Sequence, residues 1–223
     1  MESVTDRVQR NLAGVQARIA SALARAGRAP GAVQLVAVTK AASLDEIRAL
    51  IGAGCTHFGE NRIETAVEKI TAFSDLPLHW HMIGNVQRRK LPQILEHFQH
   101  IDAVDRDSLF EPLQRRCETL DCTAHILLEV NVSGEEAKHG FRPEDVSQAL
   151  QVLHTFDRVQ VHGLLTMAPF DAPETDLRRY FRGLHTLATE HGLHQISMGM
   201  THDFEIAIEE GATQVRIGTA LFE

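Results

Sequence analysis

The stretch LVAVTKAASLDE, residues 35–46, sets the pattern for the whole chain. Leu35 to Val38 form an apolar run of the kind found in a strand covered on both faces. Thr39 and Lys40 close the run, and Ser43-Leu44-Asp45-Glu46 has the S-x-x-E spacing of a helix capping box. Strand, loop and helix thus follow in quick succession, with Lys40 where the strand gives way. A lysine in that place is ordinarily a solvated one. The remaining sequence has to say whether this lysine is used.

The same unit recurs. Short apolar runs fall near 34–39, 56–59, 78–83, 101–104, 125–132, 159–165, 194–198 and 213–217. Between them lie segments with helical spacing, such as Leu44, Ile47, Leu50 and Ile51, or Leu177, Phe181, Leu184 and Leu187. Strands alternating with helices argue for a parallel sheet. Eight such runs in 223 residues point to a (β/α)8 TIM-type barrel, an α/β fold, with a doubly wound open sheet as the rival. Val4, Val8, Leu12, Val15, Ile19 and Leu23 form one stripe of a preceding amphipathic helix, closed by Gly27 and followed by Pro30. Only Thr219 to Glu223 follow the last run, too few for an eighth outer helix, so the N-terminal helix (1–27) is expected to cover that gap. No linker or repeat divides the chain, and the expectation is one domain over 1–223 with no second domain.

Composition narrows the class. With 43% hydrophobic and 23% charged residues the chain can bury a large core. A net charge of −8 disfavours a general binder of nucleic-acid backbone, in spite of the local cluster Arg88-Arg89-Lys90. Cys55, Cys117 and Cys122 are odd in number and contain no C-x-x-C pair, which suits a reducing compartment. The charged N-terminus lacks the apolar core of a signal peptide, and no run approaches the length of a membrane span. A cytoplasmic protein is expected, with no membrane partner.

In a barrel, active groups gather at the C-terminal ends of the strands. Lys40 ends the first strand, Glu60-Asn61 the second, His81 to Gly84 the third, Glu129 to Ser133 the fifth and Thr166-Met167 the sixth. Near the end of the chain Ser197-Met198-Gly199-Met200-Thr201 precedes the helical stretch HDFEIAIEEG, with Thr201 as the expected N-cap. Free backbone N–H groups at a helix start, approached closely past a glycine, suit a phosphate. In Val215-Arg216-Ile217-Gly218-Thr219, alternation sends Arg216 and Gly218 to one face and Val215 and Ile217 to the other. If the apolar pair faces the helices, Arg216 points into the barrel, where a charge needs a partner. An ion pair with Glu129 is one such partner. Gly218 and Thr219 add further donors to a phosphate site between strands seven and eight.

A lysine at one strand mouth, facing a phosphate site across the barrel, suits a phosphorylated aldehyde or ketone held as a Schiff base. A sugar-phosphate lyase and a pyridoxal 5′-phosphate protein both fit. His79 and His81 share a strand face, but no Cys or carboxylate completes a metal set and the other histidines are scattered. Nucleophilic serine or cysteine chemistry has no G-x-S-x-G elbow to support it, and Cys55 merely follows Gly54 ahead of a strand.

The segments VAVTK (36–40), HFGEN (57–61), WHMIG (80–84), NVSGEEAKHG (131–140), GLLTM (163–167) and SMGMTHDFEIAIEEGATQVRIGTALF (197–222) together resemble the pyridoxal phosphate homeostasis proteins. These are single-domain barrels similar to the cofactor-binding barrel of bacterial alanine racemase. The resemblance implies that Lys40 forms the Schiff base with pyridoxal 5′-phosphate and that Arg216 faces its pyridine nitrogen. Thr201, Gly218 and Thr219 match phosphate-binding positions, with Ser197 close by, and Asn61, His81 and Asn131 match polar positions lining the pocket. A guanidinium only donates hydrogen bonds, so the pyridine nitrogen opposite it stays unprotonated and the ring is a weak electron sink.

The resemblance therefore implies a monomeric holder of the cofactor, acting in vitamin B6 and amino-acid balance and passing the cofactor to apo-enzymes. A racemase of low activity is the alternative. It would need a second acid/base, and Tyr180, the only tyrosine, falls on an outer helix. Lys138, in the loop after strand five, is a candidate transient second acceptor. Thr201 stands where the family usually has serine, Arg62 where it has tyrosine and Arg89 where asparagine is common. The first keeps its hydroxyl; the other two alter the pocket rim and any partner surface.

Overall fold

Ser43 and Glu46 close the capping box that their spacing predicts: the Glu46 amide donates to Ser43 Oγ and the Ser43 amide to Glu46 Oε2. In the computed structural model, which describes residues 2–135 and 138–223, the box opens helix α2 (Leu44–Gly52) directly after strand β1 (Gln34–Val38). The alternation then continues. The further strands are β2 (His57–Glu60), β3 (His79–Met82), β4 (His100–Val104), β5 (Ala124–Glu129), β6 (Val159–Leu165), β7 (Gln195–Ser197) and β8 (Gln214–Ile217). All pair in parallel with their sequence neighbours, and β8 pairs with β1, so the sheet closes into a barrel rather than an open sheet.

The helices between them are α3 (Ile63–Ala72), α4 (Leu91–His97), α5 (Phe110–Leu120), α6 (Val146–Leu153), α7 (Glu174–Glu190) and α8 (Phe204–Glu209). Outward residues such as Phe58, Trp80, Ile126, Val215 and Ile217 are buried against this ring and form the main core. The basic cluster Arg88–Lys90 makes a short 3-10 turn ahead of α4.

The final α9 (Thr219–Phe222) is a single turn. The gap it leaves is covered by α1 (Val4–Arg25), whose stripe Val8, Leu12, Val15, Ile19 and Leu23 is buried and which lies against α2, α8 and α9. Asn11 Nδ2 donates to the carbonyl of Glu223 at 2.8 Å, satisfying an acceptor that the short helix leaves open. Among the described residues no helix is long and apolar enough to cross a membrane.

Candidate functional site

The C-terminal ends of β1, β7 and β8 meet around Arg216. In register β1 places Val36 beside Arg216, and Lys40, of the same parity, emerges above them in the turn after β1 with its side chain exposed. Because β1 and β8 are hydrogen-bonded neighbours, Lys40 stands next to the β8 segment; the expectation that the two face each other across the barrel is corrected by this closure.

Arg216 points inward, as alternation predicts, and is buried. Its Nη1 donates to Ser197 Oγ at 2.7 Å and its Nη2 to the Thr166 carbonyl at 2.9 Å. The partner is thus a hydroxyl and a carbonyl rather than a direct ion pair with Glu129. Glu129, Asp102 and Asp203 supply the opposing charge from further away; burial pushes the guanidinium down and these three carboxylates push it back up. Burial, with Asp105 adding to it, in turn holds the Glu129 carboxyl above its usual range.

Ser197 is fully buried and is brought to Arg216 from below, where its Oγ also accepts from Gln214 Nε2 at 3.2 Å. Thr201 is not the N-cap of the following helix. α8 starts at Phe204, with Asp203 at the cap position, and Asp203 Oδ1 accepts from the Met200 amide at 2.6 Å. The helix start lies two residues later than a Thr201 cap predicts, at Phe204, which is fully buried, and Asp203 makes no capping hydrogen bond of its own. Thr201 is left half-buried in the turn. Gly199 takes φ +93°, and a Cβ there would lie 2.7 Å from that of Ala207, so the turn requires glycine. Gly218 and exposed Thr219 begin α9 beside the end of β1.

Asn61 follows β2 with its backbone against Gly84, where a Cβ would fall 2.2 Å from the Asn61 carbonyl oxygen. Asn131 braces its own loop: Oδ1 accepts from the Gly134 amide at 3.1 Å and Nδ2 donates to the Glu135 carbonyl at 2.8 Å. Lys138 Nζ reaches Glu135 at 3.1 Å and the Met167 carbonyl at 3.4 Å, tying the loops after β5 and β6. Glu136 and Ala137, in the same motif, lie outside the described residues. Arg62 is exposed at the start of α3, and Arg89 Nε donates to Gln87 Oε1.

His81 sits deeper than a rim position. Its Nε2 faces His57 Nδ1 at 3.0 Å and its Nδ1 faces Asp102 Oδ2 at 2.9 Å, so both ring nitrogens are engaged. The histidines that look scattered along the chain come together at the N-terminal end of the barrel, where His79 and His162 are exposed and His81 is buried. His57, His79, His81, His100, His125 and His162 form a continuous set of ring contacts across β2 to β6. Among the described residues no three His, Cys, Asp or Glu side chains are arranged to hold a metal. Cys55, half-buried, has its thiol pushed up to about 11 by burial, which makes it a poor nucleophile.

Sequence reading missed Asp102, Gln214 and Lys69, and it named Glu60 only as a strand-end group. Glu60 and Lys69 lie outside the barrel wall, where Lys69 Nζ meets Glu60 Oε1 at 2.8 Å. The available signal was a charge inside the apolar run HIDAV (100–104) and the parity that Gln214 shares with Arg216.

The sequence matches the family described as alanine racemase, N-terminal domain, over residues 10–223. A pyridoxal phosphate homeostasis protein of Aquifex aeolicus is 39% identical over 217 residues, covering 95% of either chain. The chain belongs to the pyridoxal phosphate homeostasis protein family. Another family member, from Pseudomonas aeruginosa, is also 39% identical, over 96% of this chain and 94% of its own. Among solved structures, PipY of Synechococcus elongatus PCC7942 with PLP bound superposes with a TM-score of 0.85 at 33% identity, over 97% of this chain and all of its own. An alanine racemase of Clostridium difficile 630 shares the fold, with a TM-score of 0.74 at 14% identity over 97% of this chain and 55% of its own.

Proposed function

We propose that this chain, as one unit over 1–223, holds pyridoxal 5′-phosphate at the C-terminal mouth of the barrel and serves intracellular vitamin B6 homeostasis. The observation that carries this reading is the buried Arg216, fixed beside β1 and below the mouth where Lys40 emerges. The donor set fits the cofactor. Lys40 offers an accessible amine for its aldehyde, Thr201, Gly218 and Thr219 offer hydroxyl and backbone donors for its phosphate, and Asn61 and Asn131 border the pocket. When bound, the cofactor supplies an aldehyde and an electron-withdrawing ring. The 33% identical PipY, solved with PLP, supports the assignment.

Arg216 favours a holder over a catalyst. It donates hydrogen bonds and cannot take up a proton, so it leaves a ring nitrogen opposite it unprotonated. His81 has no unengaged ring nitrogen with which to serve as a second acid/base, and Tyr180 lies on the outer helix α7. Both features weigh against racemisation. Ser197 and His81 act in this reading beneath the cofactor rather than on its phosphate. Transfer to apo-enzymes, a monomeric state and a cytoplasmic setting belong to the same proposal.

The test is the visible absorption spectrum of the purified protein with added pyridoxal 5′-phosphate, before and after borohydride, beside Lys40→Ala. A yellow band lost on reduction and absent from the variant is expected. A wild type that stays colourless would overturn the reading.

A further inference from the structure

A line of hydrogen bonds runs up the barrel interior from its N-terminal face. His57, half-buried at the start of β2, faces His81 Nε2; His81 Nδ1 faces Asp102 Oδ2. Gln214 Nε2 then donates both to Asp102 Oδ2 at 2.9 Å and to Ser197 Oγ at 3.2 Å, and Ser197 Oγ accepts from Arg216. The orientation of Gln214 is fixed, because its Oε1 accepts from Gln195 Nε2 at 2.9 Å. Barrel interiors are ordinarily filled by branched apolar side chains. A polar line through that space has a cost in desolvation, and here almost every atom is paired.

We infer that Asp102 is a positioning residue for Arg216, and that protonation of His81 through His57 from the N-terminal mouth regulates the charge Asp102 presents to that guanidinium. The inference rests on the reading of Arg216 as the cofactor-facing residue. In the proton step, His57 takes up a proton on Nε2 from a hydronium ion at the mouth, releasing water, as its Nδ1 proton passes to His81 Nε2, so His57 stays neutral and one proton is gained overall. His81, which already carries the proton on Nδ1, becomes cationic and forms an ion pair with Asp102. Asp102 is then shared between two cations, and Arg216 keeps less of its compensation.

His57, where the proton enters, is stacked on His79 of β3 and also feels His100 of β4. His81 meets His57 from β2 and His100 from β4; Asp102 meets His81, Gln214 and, at longer range, His100 and Arg216. Glu129 and Asp203 are the other charges near Arg216. Burial raises the Asp102 carboxyl, but His81 and the hydrogen bonds of His81 and Gln214 outweigh it and hold the group ionised. A carboxylate held charged is what the coupling requires.

The test follows the Nε–H resonance of Arg216 and the imidazole resonances in the cofactor-free full chain from pH 5 to 8.5. The Arg216 resonance is expected to shift with pH in step with the buried imidazole resonances, to lose that shift in Asp102→Asn, and to move its midpoint in His57→Gln. An Arg216 resonance that stays flat in the wild type, or titrates identically in folded Asp102→Asn, would overturn the inference. If Asp102→Asn does not fold, His57→Gln decides: an unmoved midpoint overturns it. A coupled resonance in a protein that never colours with pyridoxal 5′-phosphate would remove the cofactor reading and leave the coupling standing.

Discussion

The ammonium group of Lys69 lies 2.6 Å from the carbonyl oxygen of Thr39, the residue before Lys40. The same ammonium pairs with Glu60 Oε1, which also accepts from Thr39 Oγ1 at 2.6 Å. A buried ion pair between β2 and α3 therefore fixes the backbone from which Lys40 projects. Glu60 Oε2 has no hydrogen-bond partner among the described residues, so the pair has little to spare.

Lys69→Ala should strand a buried carboxylate and cost about 3–5 kcal/mol, as loss of one partner of a buried pair does. Urea denaturation measures it. Lys69→Met with Glu60→Gln removes both charges and should recover most of that loss. Because Thr39 is no longer held, the single variant should also retain less pyridoxal 5′-phosphate, read from its visible band. A Lys69→Ala protein as stable as the wild type would show the pair to be dispensable.

Acid should destabilise the barrel from within. Burial first, and neighbouring imidazoles second, push His57 and His100 down to about 4, against 6.5 in an open chain. Between those values the unfolded chain binds more protons than the folded one, so stability rises with pH across the window and is lost as pH falls from 6.5 toward 4. Urea midpoints measured at pH 7.5, 6.5, 5.5 and 4.5 should fall over the last three. His100→Gln should flatten that slope; an unchanged slope would locate the acid sensitivity elsewhere.

Gly84→Ala places a methyl group 2.2 Å from the Asn61 carbonyl oxygen, and the obstacle is backbone. The loops after β2 and β3 must separate, at about 1–3 kcal/mol of overpacking strain. Calorimetry should show the lower Tm. Asn61 moves with its loop, so the pyridoxal 5′-phosphate dissociation rate should rise as well.

Ser197→Ala leaves Arg216 Nη1 and Gln214 Nε2 without their shared acceptor. Two buried donors lose one partner, for about 1–3 kcal/mol of stability. Lys40→Ala, an exposed side chain, should fall within about 0.5 kcal/mol of wild type. Comparing the two separates the support of the site from its reactive group.

The sequence by itself determined the architecture and much of the mouth. Alternating runs and caps depend on neighbours a few residues apart, so eight strands, the covering helix α1 and the inward direction of Arg216 were legible in it. The motif order also placed Lys40 at a strand end. Tertiary structure decided what those groups touch. Closure of the barrel made β8 a neighbour of β1, so Lys40 and the β8 segment are adjacent rather than opposed. The start of α8 falls past Thr201, at the buried Phe204. The histidines lie one or two to a strand along the chain, and only strand register, which pairs His81 with His100 and His100 with His125, sets them in contact. Asp102 and Gln214, 112 positions apart, meet for the same reason. Each such contact joins strands distant in the chain through the register of the closed sheet, so the spacing within one segment does not name its partner.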